Sequence, residues 1–380
     1  MRVALISSTS IAIGAYRVSL EPLPEHGDLR AMWRQIEAES KCSFFTSWAW
    51  IGPWLELICP LRYARMVSVH LGSKRIAMGI FTERRRFMGM GPMHLRLHEM
   101  GDKVLDSLTI EYNGLVCEAG HEQEAITAVL DHFIQNDSRW LTLYLPGMEM
   151  DSVRFDSVQT REITSRVQER AACYVDLATL RNNRQDYMAT VLSSKARSAI
   201  RRTSRKLAGL HGDISLSVAA GEEQKLSYFQ AMTQLHQAHW ADGSDEHGAF
   251  GDPRVLQFHE QLITNSTENE GPQLIRLCAG TQVIGYVYSL VWRDIVYFYQ
   301  SGIDYKRFGA SGSPGLLLLV HAIEQALADG RSRFELMAGD SAYKQSLAMA
   351  TNTMVWLSID RAGWVSRLRR AWWSLKHGAR

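Results

Sequence analysis

Cysteine is scarce in this chain and never paired in sequence. Cys42, Cys59, Cys117, Cys173 and Cys278 are the five cysteines in 380 residues, and no C-x-x-C occurs. An odd, dispersed set speaks against a disulfide framework and against a structural zinc site, and it fits reduced thiols in the cytoplasm. Charge of one sign is lacking as well: a formal net charge of +2 at pH 7 argues against a wholesale nucleic-acid coat. No run of about 18 apolar residues is present, which removes a membrane-spanning helix. Residues 3–15 resemble the apolar part of an export signal, but serines and a threonine interrupt them, and Tyr16 to Leu20 continue as an alternating strand.

What is present is ordinary in bulk and uneven in detail. Hydrophobic residues make up 46% and charged residues 22%, the balance of a globular protein, and the length allows two domains with a core each. Periodicity predicts strands near 13–20, 63–71 and 75–84, helices over 28–39, 47–58 and 121–136, and a strand from Trp140 to Leu145. Gly89-Met90-Gly91-Pro92 interrupts the pattern. The rhythm then restarts, with strands near 171–177 and 213–219, helices over 193–207, 222–240 and 252–264, and a β-meander from Gln273 to Gly302. Two mixed α/β halves follow, with a boundary inside 146–170.

The densest information lies between Ser301 and Lys344: a strand, a Gly-rich turn, an apolar helix, a second strand and a closing GD-x-x-YK. Gly309, Gly312 and Gly315 permit close backbone approach, Ser313 suits an N-cap, and Pro314 suits the first helical position. Amide groups gathered at a helix start bind phosphate. A nucleotide-triphosphatase loop needs Gly-Lys-Ser/Thr at that point, and Ser313-Pro314-Gly315-Leu316 has no lysine. A hydrolase elbow needs Gly-x-Ser-x-Gly, and Gly309 to Ser313 lacks the closing glycine. The turn alone also reads as a plain strand-to-helix connection.

Residues Gln282 to Trp356 resemble the core of the Gcn5-related N-acyltransferase (GNAT) superfamily, in the branch of the CelD-like proteins and the Fem-type peptidoglycan aminoacyltransferases. The resemblance is carried by Asp304, Ser313-Pro314-Gly315 and Gly339-Asp340-Ser341-Ala342-Tyr343-Lys344. It extends to the basic stretch Ser193 to Leu207, to Leu235-His236 with Trp240, Phe250 and Asp252-Pro253, and to Trp33, Phe44 to Trp48 and Trp54. It implies an α/β (α+β) fold of tandem mixed-sheet domains with helices on both faces. The expected divisions are an acceptor-side domain over 1–160, a domain with the donor turn over 161–360, and a basic, Trp-rich helix over 361–380.

The resemblance further implies transfer of an acyl group from a thioester, on acyl-CoA or an acyl carrier protein, to the amine of a small molecule or saccharide precursor, without a metal. Phe308, Gly309, Ser311, Gly312, Ser313, Gly315 and Leu316 are expected at the donor. Lys344 is the expected partner of the developing oxyanion, Tyr343 positions the acyl group or protonates the leaving thiolate, and Asp304 and Asp340 order the amine or the loop. Asp340 reads equally well as an N-cap. His236, Trp240 and the run Glu111-Tyr112-Asn113 are expected on the acceptor side, although that run also reads as a turn. A Fem-like transferase using aminoacyl-tRNA and a non-catalytic exopolysaccharide assembly protein are the rival expectations.

His236 and His239 stand three apart, a spacing too common to predict a metal site. In the basic stretch Arg197, Arg201 and Arg205 share a face without an intervening acid. Such a row is a solvated face or meets an anion, a coenzyme phosphate or a tRNA backbone. The Trp- and Arg-rich C-terminus docks on the core or lies on an anionic membrane surface. A cytoplasmic location with peripheral membrane contact is the expectation, and the oligomeric state is left open.

Overall fold

One order of elements runs twice along the chain. The computed structural model describes residues 15–85, 93–136, 140–153, 163–240, 248–339 and 341–361. The first run holds β1 (Tyr16–Pro22), α1 (His26–Ala38), α2 (Trp48–Leu57), β2 (Ala64–Leu71), β3 (Lys74–Arg85), β4 (Met93–Leu97), the two-residue β5 (Val116–Cys117), α3 (Glu122–Asn136), β6 (Trp140–Glu149) and β7 (Ile163–Asp176). Three helices then intervene: α4 (Leu177–Asn182), α5 (Tyr187–Val191) and α6 (Ser194–His211). The second run holds β8 (Ile214–Val218), α7 (Gly221–Trp240), α8 (Pro253–Thr264), β9 (Gly271–Ala279), β10 (Gln282–Trp292), β11 (Ile295–Ile303), α9 (Tyr305–Phe308), α10 (Pro314–Ala328), β12 (Arg333–Ala338), α11 (Ala342–Leu347) and β13 (Ala350–Arg361).

Among the described residues the strands form one mixed sheet in the order β1-β2-β3-β4-β6-β13-β7-β12-β11-β10-β9-β8, with β5 beside β3. The order is symmetric about its centre. From β13 outward the neighbours are antiparallel to β6, then parallel β6/β4, then antiparallel. From β7 outward the pattern is the same, with β12/β11 as the parallel pair. The last strand of each run has crossed over. β7 follows β6 but pairs with β12, and β13 follows β12 but pairs with β6. The two exchanged strands pair with each other from Ala350↔Tyr174 to Arg361↔Ile163. Strand β4, the full length of β7 and strand β13 were not among the elements expected from periodicity.

Local chemistry sets the helix ends. Ser193 accepts the Ala196 N–H at the start of α6, and Asp252 accepts the Arg254 N–H before Pro253 in α8. One face of the sheet carries α1, α2, α7 and α8 over an aromatic core that spans both halves. Trp50 meets Phe45 at 5.0 Å and Phe258 at 4.8 Å between ring centres, and Phe45 meets Tyr297 at 5.7 Å. Each such side chain, fully buried, contributes about 1.5–3 kcal/mol, so this seam binds the halves firmly. The opposite face is covered by α3 in the first half and by α10 with α6 in the second.

Candidate active site

The Gly-rich turn closes against α6. Gly312 has φ +128, and a Cβ there would lie 2.3 Å from the Thr203 hydroxyl, so only glycine fits. That hydroxyl accepts the Ser313 N–H at 3.2 Å, and Lys206 donates to the Ala310 carbonyl at 2.7 Å. Thr203 interrupts the otherwise apolar face of the basic helix, the one signal in the sequence that it holds something. Pro314 is the first residue of α10, and the first helical hydrogen bond runs from Leu317 to Ser313. The amides of Gly315 and Leu316 therefore precede the ladder and point out of the helix start. Gly315 also lets Tyr305 and Ile303 approach closely, since a Cβ would meet them at 2.6 and 2.7 Å.

Beyond this turn β11 and β12 part. They pair in parallel only from Ile295↔Arg333 to Tyr297↔Glu335. The register of β12 against β7 shifts between Glu335 and Ala338, and Met337 takes φ +64, a left-handed conformation that turns the strand end away. A cavity of about 620 Å³ occupies the gap. Gly312, Ser313, Gly315 and Leu316 line one end of it, and Met337, Ala338, Tyr343 and Lys344 line the middle.

Two charged side chains hold the strand end. The Lys344 ammonium donates to the Ala338 carbonyl at 2.7 Å and to the Met337 carbonyl at 3.4 Å. Burial lowers its pKa, with Glu111 pulling the other way. Glu111 comes from the first half and accepts the Ala338 N–H at 2.6 Å. Burial raises its pKa, opposed by that hydrogen bond and by Lys344. Tyr343 is half-exposed at the cavity, its pKa raised by burial.

Both halves line the cavity. Ser107 and Thr109 face His236, His239 and Ala249, and the Ser107 hydroxyl donates to the Ala249 carbonyl at 3.4 Å. His236 is buried with Nδ1 3.2 Å from the Ser301 carbonyl, and burial lowers its pKa. Among the described residues no three His, Cys, Asp or Glu side chains converge on a metal position.

Other residues singled out by sequence lie elsewhere. Asp304 caps α9 by accepting the Arg307 N–H at 3.0 Å and does not line the cavity. Phe308 is buried in the second-half core against His211, and Gly309 and Ser311 form the back of the turn. Asp340, the Trp240 side chain, Gly89 to Pro92, and residues 362–380 lie outside the described residues.

Tyr112 and Asn113 turn away from the cavity. Asn113 bridges the parted strands of the first half, donating to the Leu97 carbonyl at 3.3 Å and the Pro146 carbonyl at 3.0 Å. Its own N–H reaches the Gly147 carbonyl at 2.9 Å. Gly147, at φ +61, occupies the place in β6 that Met337 occupies in β12, and a Cβ there would lie 2.5 Å from the Ile110 carbonyl. Tyr112 donates to Glu335 at 2.5 Å. Residues 110–113 thus fill the first half's strand gap and present Glu111 to the second. What remains beside them is a cavity of about 250 Å³ lined by Glu122, Glu149 and Glu335 among others. Glu122, the first residue of α3, accepts the Gly120 N–H at 2.8 Å, which puts a carboxylate at that helix start.

Comparison with known proteins agrees with this geometry. Residues 194–345 match the family described as acetyltransferase (GNAT) domain. No curated protein sequence matches the chain. A conserved protein of unknown function from Bacteroides thetaiotaomicron superposes with a TM-score of 0.53 at 11% identity, over 91% of this chain and 100% of that one. FemX superposes with a TM-score of 0.54 at 8% identity, over 89% and 96% of the two chains. L-PGS from Bacillus licheniformis gives 0.52 at 12% identity, over 95% and 98%. At these identities the likeness is one of fold. The matched segment, which is similar to the acetyltransferase (GNAT) domain, holds the turn, the parted strands and Lys344, and the chain as a whole shares the two-half fold of FemX.

Proposed function

We propose that the chain transfers an acyl group from a thioester on a phosphopantetheine arm, as in acyl-CoA or an acyl carrier protein, to the amine of a small molecule or saccharide precursor. The observation that carries the reading is the 620 Å³ cavity, which runs from the start of α10 to the gap between β11 and β12. Phosphate oxygens fit the Gly315 and Leu316 amides at the positive end of the α10 dipole. The arm then lies between the parted strands with its carbonyl near Lys344. That ammonium, fixed by two carbonyls, offers a donor to the oxygen that gains charge as the amine attacks. The amine enters past Ser107, Thr109 and His236, where the two halves meet at the cavity.

A second reading is favoured by the basic face of α6, which adjoins the turn through Lys206: an aminoacyl ester on tRNA replaces the thioester. Native mass spectrometry of the purified chain with acetyl-CoA, with an acetylated carrier protein and with aminoacyl-tRNA separates the two. One thioester donor per chain is expected, because the first half's helix start is occupied by its own carboxylate. Leu316→Glu, which puts a negative charge at the anion site, is expected to abolish it. Binding of aminoacyl-tRNA without any thioester binding sinks the first reading in favour of the second.

A further inference from the structure

We infer that Glu111, a residue of the half that lacks a donor site, is the group that takes the proton from the acceptor's ammonium, and so makes the enzyme one for cationic amines. The inference rests on the N-acyl transfer reading above. Glu111 is only 4% exposed, yet it lines the cavity on its acceptor side. A buried carboxylate in such a place is held by something. One oxygen accepts the Ala338 N–H, so the carboxylate is tied to the strand end whose carbonyl also orients Lys344.

Its position is over-determined from behind. Gly147 admits the Ile110 carbonyl and the Glu111 Cα to its own backbone, the latter 3.1 Å from a Cβ position there. Asn113 and Tyr112 then pin the residues that follow. A segment serving only to plug the first half's gap has no need to send a carboxylate into the second half's cavity. Among the described residues that line the cavity Glu111 is the sole carboxylate, the other ionisable groups being His236, His239, Tyr299, Tyr305, Tyr343 and Lys344. Its carboxylate offers a partner to an ammonium ion, and its desolvation makes it a stronger base than a carboxylate in water.

The step balances as follows. Glu111 removes one proton from the ammonium, and the freed amine attacks the thioester carbonyl carbon. A C–N bond forms and the C–S bond breaks. The second proton leaves the nitrogen as the tetrahedral intermediate collapses and is taken up by the departing thiolate. Glu111 returns its proton to solvent, and the products are an amide and a free thiol.

Glu111→Gln tests this, since its amide oxygen still accepts the Ala338 N–H and the fold is kept. The probes are acetyl-CoA with ethanolamine, protonated at neutral pH, or with hydroxylamine, neutral there, followed by thiol release. For ethanolamine the variant is expected to lose about 100-fold or more at neutral pH and to recover as pH rises toward the amine's own pKa. For hydroxylamine it is expected to stay within about threefold of wild type. Equal losses with both amines, or no loss with ethanolamine, overturn the proposal. Native mass spectrometry with acetyl-CoA accompanies both proteins. Wild type that neither binds acetyl-CoA nor releases thiol overturns the thioester reading itself, and this inference with it.

Discussion

Two buried contacts turn charge into consequence at the scale of single residues. Lys344 is fixed by the carbonyls of Met337 and Ala338, so its ammonium is oriented before any substrate arrives. Such a donor acts on the transition state more than on the ground state. Lys344→Met is therefore expected to lower kcat by about 100- to 1,000-fold while acetyl-CoA affinity stays within threefold, as single-turnover kinetics and calorimetry will report. Glu335 makes a prediction about stability. Burial pushes its pKa up to about 7 from 4.5, with Arg333 and the Tyr112 hydroxyl opposing. A carboxyl group whose folded pKa is raised favours folding in its protonated form. Its contribution is full below pH 4.5 and is lost as pH rises through about 7. The loss is on the order of 3 kcal/mol by linkage. Melting temperature is expected to fall between pH 5 and pH 8, and Glu335→Gln to flatten that fall; an equal slope in both proteins contradicts it.

Elements were legible in the sequence where their reasons were local. The turn, α10 with Pro314 at its start, and the basic helix α6 declare themselves through glycine, proline, serine and periodic apolar residues. Helix α10 ends, as its sequence predicts, just before Gly330 at φ +76. The support beneath the turn was hidden, because Thr203 is one hydroxyl on an apolar face and meets Ser313 across 110 positions. Helix α6 thus works as the bed of the Gly-rich turn as well as a basic surface. Part of its charge is already committed: Arg197 donates to the Ala189 carbonyl at 3.2 Å and to the Leu192 carbonyl, and Lys206 donates to Ala310. Thr203→Val leaves the shape of the helix and removes the acceptor for the Ser313 N–H, a loss of about 1 kcal/mol. Acetyl-CoA affinity is expected to weaken about fivefold with little change in melting temperature. An unaltered affinity in a titration means the turn keeps its form without α6.

At the scale of the whole molecule the exchange of β7 and β13 decides what the two halves are. Sequence periodicity shows two similar halves, and nothing local in residues 163–176 or 350–361 says which half each strand joins. That choice is made by pairing between residues far apart in the chain, as in Met354↔Glu149 and Phe334↔Val175. The same distance hid Glu111, whose partner Ala338 lies 227 positions away. Without β13 the first half leaves the edge of β6 open, and without β7 the second leaves β12 open, each a row of unpaired backbone groups. The aromatic seam of Trp50, Phe45, Phe258 and Tyr297 adds apolar surface that neither half covers alone. Independent folding of the halves is therefore unfavourable, and the cavity proposed as the active site, lined by Lys344 from one half and Glu111 from the other, is complete only when both are in place. Calorimetry is expected to show one cooperative transition for residues 1–380, with calorimetric and van't Hoff enthalpies in agreement. Chain 1–349, which ends before β13, is expected to lose the structure of the first half together with that of the second. Two separate transitions, or a folded first half in the truncated chain by near-ultraviolet circular dichroism, contradict the exchange as the source of that unity.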